Sequence, residues 1–328
     1  MRLTLAALML TATPALAGVE EAIDDHVLPN AASFAEATSA LADTARDDCT
    51  AGAVKPAWND AFDAWMGISH LQLGPLEEGG RTLAIAFWPD SRGMAPRAIA
   101  GIVADEDPVV GDADAFAEVS VAARGLLAME RLLYGEDYAG YGADSYVCRL
   151  VEAMAVDLSR LAGEVDTAWR DDFAPTLRSA GEAGNDRFLD RREAAQALYT
   201  ALMTGLTFTE TQRLARPMGS FDRPRPEQAE ARRSGRSLRN VILSLEALRG
   251  LAGTLSNGDI PQTEAAFDAA LETARELDDP VLAGVSDPQG RLEVEVLKQR
   301  VEAIRRAVDG ELGAALGVSQ GFNSMDGD

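Results

Sequence analysis

The sequence predicts an all-α protein built from two helical-bundle halves. Three observations lead there. Alanine, leucine, arginine and glutamate, all good helix formers, dominate the long segments. No stretch alternates apolar and polar residues with the β-branched enrichment of a strand. A break at 181–187, GEAGNDR, leaves about four long helical stretches on either side.

Taken in order, residues 1–17, MRLTLAALMLTATPALA, read as a secretory signal peptide. Arg2 supplies the charge, Leu3 to Leu10 the apolar run, and Ala15-Leu16-Ala17 the small-residue ending. The apolar run is too short to span a bilayer. The mature chain is then expected to start near Gly18, in the periplasm. An N-terminal bundle is expected over 18–183 and a C-terminal bundle over 184–328. Helices are expected at 19–46, 55–72, 96–105, 112–134 and 143–180, then at 188–215, 226–253, 261–277 and 288–316. Pro56 and Pro261 sit near helix starts, where a missing N–H is harmless. Pro29 and Pro175 fall inside periodic stretches and are expected to kink or end them. The irregular connections are 73–95, 216–226 and 278–288, marked by Gly or Pro. In an exported protein Cys49 and Cys148 are a candidate disulfide. The segments ARGLLAMERLLYG (123–135) and LRNVILSLEALRGL (238–251) align weakly through Glu130 and Glu246, a hint of duplication.

Composition narrows the function. With 53 acidic and 30 basic side chains the net charge is −23. That argues against nucleic acid and against an anionic membrane surface as partners. Two histidines and two cysteines cannot build a zinc finger, a four-cysteine cluster or a three-histidine zinc site. Metal chemistry would rest on carboxylates. No later stretch is long and apolar enough for membrane insertion. Phosphate-loop, zinc-peptidase, serine-hydrolase and EF-hand motifs are absent.

A few residues stand out. Glu130 has Leu126, Leu127, Leu133 and Tyr134 one helical turn away, so its helix face is apolar. A carboxylate there must be neutral, paired or bound to a cation. An arginine partner and a ligand or metal contact are both open. The segment 74–93, GPLEEGGRTLAIAFWPDSRG, is a long connection carrying Trp88, Asp90 and Arg92. It reads either as a cleft lining or as a cap plugged by Trp88. His70 reads as a packed or capping residue before a ligand, and His26 as exposed. The arginines between Arg213 and Arg239 form a basic segment suited to ion pairs across an interface, or to an anionic ligand.

Four segments together resemble the imelysin family of exported bacterial proteins. They are WNDAFDAWMGISHLQLGP (58–75), IAFWPDSRG (85–93), GLLAMERLLYG (125–135) and LGVSQGFNSMDGD (316–328). The resemblance implies two helical-bundle halves related by pseudo-twofold symmetry, a site between them, and an association with iron uptake. It also implies, for some members, metallopeptidase activity. The family motif G-x-H-x-x-E falls on Gly125, Leu127 and Glu130, so leucine replaces the histidine. Leu127 has no donor atom, and a His–Glu metal pair does not exist here. Gly125 and Glu130 carry over as site positions, with Tyr134 as a further oxygen ligand for a hard cation such as Fe³⁺.

The expectation is a periplasmic binding or accessory protein linked to iron uptake, with an enzyme the less favoured reading. It would bind iron, another divalent metal or a small ligand in a cleft between the halves. Glu130 would stand on the wall, with Trp88, Asp90 and Arg92 near the mouth. The alternatives are a carboxylate-dependent metallopeptidase and a docking protein for another exported protein.

Overall fold

The computed structural model describes residues 15–256 and 258–318. Most of the expected signal peptide and the 319–328 part of the family-like ending lie outside the described residues. The principal helices are α1 (Leu28–Asp47), α2 (Ala51–Ile68), α3 (Met94–Asp105), α4 (Gly125–Tyr134) and α5 (Tyr146–Ala168). After the irregular stretch 179–190 come α6 (Arg191–Phe208), α7 (Ser237–Leu255), α8 (Pro261–Glu276) and α9 (Pro288–Val308). Among the described residues strand pairing is confined to one isolated bridge, Ser220–Arg223. The protein is all-α.

Two sets of helices form. In the first, α1 packs on α2 and α5, and α4 packs on α2 and α5. In the second, α6 and α8 flank α7, and α9 packs on α6 and α8. The sets meet where α2 runs against α7, and where the helical segment before α1 lies on α6 and α7. The buried apolar residues form one continuous core across both sets. Arg236 and Arg239 of the second set both pair with Asp63 of α2, the cross-interface role expected for the basic segment. Glu246, aligned with Glu130 in the sequence, is exposed and bonds to Arg275 at 2.6 Å, so the two glutamates do not share an environment.

Pro261 starts α8 as expected, but Pro29, Pro175 and Pro56 behave differently. Pro29 and Pro175 neither end nor break their helices. Each follows a π-helical turn, Ala22–Val27 and Trp169–Phe173. Leu28 N–H bonds to Ile23 O and Ala174 N–H to Trp169 O, five residues back, just before the proline. The wider turn lets the helix run on past the residue that lacks a donor. The same arrangement precedes Pro217, after the π segment Thr209–Ala215. Pro56 lies inside α2, because that helix starts at Ala51. The residue four before it is the exposed Gly52, which has no side chain to crowd the proline ring.

Two expected helices are interrupted. The 112–134 stretch divides into Ala113–Ala117, a 3₁₀ turn Val121–Ala123, and α4. The 226–253 stretch is non-helical until Ser237, apart from the 3₁₀ turn Pro226–Gln228. Conversely, the 73–95 connection contains a short helix, Arg81–Ile85. Cys49 and Cys148 form the expected disulfide, with Cα atoms 5.1 Å apart, tying the α1–α2 turn to α5.

Candidate functional site

Glu130 is placed by the way α4 begins. Gly125 has φ +72°, in the left-handed region that glycine enters without strain. A Cβ there would stand 2.2 Å from Ile85 O and 2.3 Å from Ala84 O. Only glycine lets α4 start against those carbonyls. Trp58 Nε1–H donates to Leu126 O at 3.1 Å and anchors the first turn to α2.

Glu130 is 2% exposed. Its Oε1 accepts two hydrogen bonds from Ser234, from the backbone N–H at 2.9 Å and from the hydroxyl at 2.8 Å. Ser234 belongs to the irregular segment 229–236 of the second helix set. The expected arginine ion pair is absent among the described residues, and Oε2 has no hydrogen bond there. Burial pushes the carboxyl above the usual range. The Ser234 bonds, Arg233 and Arg131 oppose that push without cancelling it.

A cavity of about 160 Å³ opens beside Glu130, lined by Trp88, Asp90, Leu127, Arg131, Arg232 and Arg233 among others. Residues of both helix sets line it. Arg131, Arg232 and Arg233 also border a wider hollow of about 860 Å³ that contains Tyr134 and Tyr138. On the other side of Trp88 lies a third cavity of about 130 Å³, lined by His70, Phe208, Arg213 and Glu230. A groove of about 510 Å³ over α5 contains none of the residues expected from the sequence.

Of those residues, the structure gathers Glu130, Trp88 and Asp90 on one cavity and puts Tyr134 in the adjoining hollow. Asp90 is engaged, its two oxygens accepting the N–H groups of Met94 at 2.8 Å and Ala95 at 2.9 Å. Burial works to raise the Asp90 carboxyl, but these amides, that of Arg92 and the charge of Arg131 outweigh it and hold the carboxyl low. Gly125 contributes by allowing the close approach and lines neither cavity. Arg92 is exposed and lines neither. Tyr134 hydroxyl accepts a hydrogen bond from Asn59 Nδ2 at 2.9 Å.

Sequence reasoning did not connect Ser234, Arg131 or Arg216 to Glu130. It noted Arg232 and Arg233 only as part of a basic run. Their convergence depends on a loop more than a hundred residues away folding over α4, for which the sequence holds no local signal.

The donor set bears on whether a metal fits. Glu130 offers one free oxygen, and the leucine at 127 faces the cavity in place of a donor. Among the described residues no group of three His, Cys, Asp or Glu converges on a point. Four arginines stand on the same walls. These residues do not fit a resident metal ion.

The two histidines hold each other. His26 Nε2 and His70 Nε2 are 3.0 Å apart, and both rings are buried. This corrects the exposed reading of His26. Gly205 and Gly250 of the second set make room for them, since a Cβ at Gly205 would meet His70 Cβ at 2.8 Å and one at Gly250 would meet His26 Nδ1 at 3.1 Å. Burial pushes His26 down to about 4. His70 is lowered by burial, then by His26 and Arg213. Arg213 bonds to Glu230 at 2.8 Å, both buried.

Comparison with known proteins agrees with the architecture. An imelysin-like protein from Psychrobacter arcticum 273-4 superposes with a TM-score of 0.78 at 18% identity, covering 97% of this chain and 100% of that one. A protein from Parabacteroides distasonis ATCC 8503, described as an iron-regulated protein A precursor, superposes with a TM-score of 0.70 at 12% identity, covering 95% and 96%. No curated protein matches the chain. The family model for imelysin matches residues 27–308, nearly the whole described fold, and the chain therefore belongs to the imelysin family.

Proposed function

We propose that this protein is a non-catalytic, exported imelysin-type binding protein that holds a small ligand in the cleft between its two helix sets, in the service of iron uptake. The observation that carries the reading is Glu130. Its carboxyl is 2% exposed, Oε1 is saturated by Ser234, and Oε2 is left without a partner at a cavity wall. That oxygen lines the cavity and can accept a hydrogen bond from a ligand's donor. The iron link rests on the family and on the name of the Parabacteroides relative. Export is supported by the signal-like first seventeen residues and by the Cys49–Cys148 disulfide. Among the described residues no helix is long and apolar enough to cross a membrane. A metallopeptidase would need a ligand where Leu127 stands, and no observation favours it.

The test is retention of small molecules. Purified protein is equilibrated with a low-molecular-mass periplasmic extract, washed, and analysed by mass spectrometry beside Glu130→Gln. A compound retained by the wild type and reduced about tenfold or more in the variant is the expected result. Equal retention by both proteins, or none by either, would overturn the cleft reading. Parallel titration with Fe³⁺ and Zn²⁺ addresses the bare-metal version: tight binding lost in Glu130→Gln would reinstate it.

A further inference from the structure

The cavity beside Glu130 has arginines on its walls that no acid pairs with directly. Among the described residues the guanidinium groups of Arg131, Arg232 and Arg233 make no hydrogen bond or ion pair. Arg216, on the same wall, bonds only to Gln212 Oε1 at 3.2 Å and Ser91 Oγ at 2.8 Å. They are also close enough to oppose one another. Arg131 is half-buried, and burial followed by the charge of Arg233 lowers it from its ordinary value, against the opposing pull of Asp90, Glu130 and Tyr138. This is unexpected in a chain with 53 acidic side chains against 30 basic ones, where Arg213, Arg236 and Arg239 of the same basic segment all found carboxylates.

The acids on these walls do not settle the matter among themselves. Asp90 is spent on the amides of Met94 and Ala95. Glu227, Glu136 and Asp137 are exposed residues of the rim. Glu130 is the acid held deep inside, and Ser234 occupies one of its oxygens. A bare cation would meet the guanidinium groups first. An oxyanion would be drawn to them, because a guanidinium fork matches a carboxylate in shape and charge.

We propose that the cleft takes a small hydroxylated polycarboxylate, free or as its ferric chelate, with its carboxylates on Arg131, Arg232 and Arg233 and its hydroxyl on Glu130 Oε2. A hydroxyl suits that oxygen because it donates to an ionised carboxylate and accepts from a protonated carboxyl. A carboxylate placed there would be repelled by an ionised Glu130. A chelate carries its own metal ligands, so an iron link does not require the donor set that the cavity lacks. A cavity of about 160 Å³ that shares Arg131, Arg232 and Arg233 with a hollow of about 860 Å³ has room for such an ion. The proposal rests on the cleft reading above and names the ligand class for it.

The test is calorimetric titration of the mature protein at low salt with citrate, with ferric citrate and with tricarballylate, which keeps three carboxylates and lacks the hydroxyl. The Arg232→Ala/Arg233→Ala variant alters two exposed side chains and leaves the core untouched. Expected are binding of citrate or its ferric chelate, a loss of about tenfold or more in the double variant, and weaker binding of tricarballylate. Binding weakened by added salt also supports the proposal. Binding of the ferric form alone identifies the chelate as the ligand, and equal binding identifies the free anion. No binding at millimolar concentration, or binding indifferent to the arginines, overturns the anionic ligand. Tricarballylate binding as tightly as citrate overturns the role of Oε2. If the compound retained in the extract experiment is neutral or cationic, this proposal falls while the cleft reading stands.

Discussion

Glu130 and His26 are both polar residues on helices, and both are buried for reasons that differ in visibility. The apolar neighbours of Glu130 at one-turn spacing announce its burial in the sequence. Its partner, Ser234, lies 104 positions away and has no such signature. His26 sits beside Asp24 and Asp25, which suggested exposure, yet it faces inward against His70 and Gly250. Its burial has a consequence for stability. The folded protein holds His26 neutral with its value lowered to about 4, while the unfolded chain titrates near 6.5. Between those values the unfolded state binds more protons, so stability is full above pH 6.5 and is lost as pH falls toward 4. From pH 7 to pH 5 this residue alone should withdraw about 2 kcal/mol. Urea denaturation at both pH values should show that loss, and His26→Gln should lose correspondingly less. An identical pH dependence in the variant would refute the assignment.

At the scale of elements, helix existence was legible and helix interruption was not. Composition and periodicity are local, so long stretches such as Pro261–Glu276 and Pro288–Val308 could be located closely. The break before α4 is imposed from outside, by the carbonyls of Ala84 and Ile85 against Gly125. Likewise residues 229–236 carry helix-forming alanines and arginines but leave the helix to reach Glu130. Tertiary contact outweighed propensity there, since a few tenths of a kcal/mol per residue is small beside a buried hydrogen bond. Gly125→Ala tests the first case. It adds a methyl 2.2 Å from a backbone oxygen at a φ of +72°, and neither neighbour is a flexible side chain. The variant should lose about 3 kcal/mol or more, read as a shift of the denaturation midpoint. A change within about 0.5 kcal/mol would show that α4 can start elsewhere.

For the whole molecule, the disulfide and the contacts between helix sets do different work. Cys49 and Cys148 are 99 positions apart and both lie in the first set. A crosslink of that span restricts the unfolded chain and adds up to about 4.7 kcal/mol in the chain-entropy model. Cys49→Ser/Cys148→Ser should therefore lower the thermal midpoint by several degrees while leaving the cleft's ligand affinity within about twofold. Loss of both together would mean that the cleft depends on the first set's internal order. The cleft itself is held by contacts across the sets, chiefly Ser234 on Glu130 and Arg236 and Arg239 on Asp63.

The all-α class, the helix-rich stretches on either side of 181–187, the pairing of the two cysteines and the family likeness all follow from residue order. Each depends on composition, on spacing within one helix, or on there being only two cysteines to pair. The leucine at 127, and with it the loss of a histidine donor, is legible in the same way. Which groups face Glu130 is not. Ser234, Arg232 and Arg233 reach it because segment 229–236 folds over α4, and Trp88 and Asp90 because the chain turns back before α3. Those approaches are selected by the packing of one helix set on the other, where burial of a carboxyl and convergence of arginines arise from surfaces that no local pattern encodes.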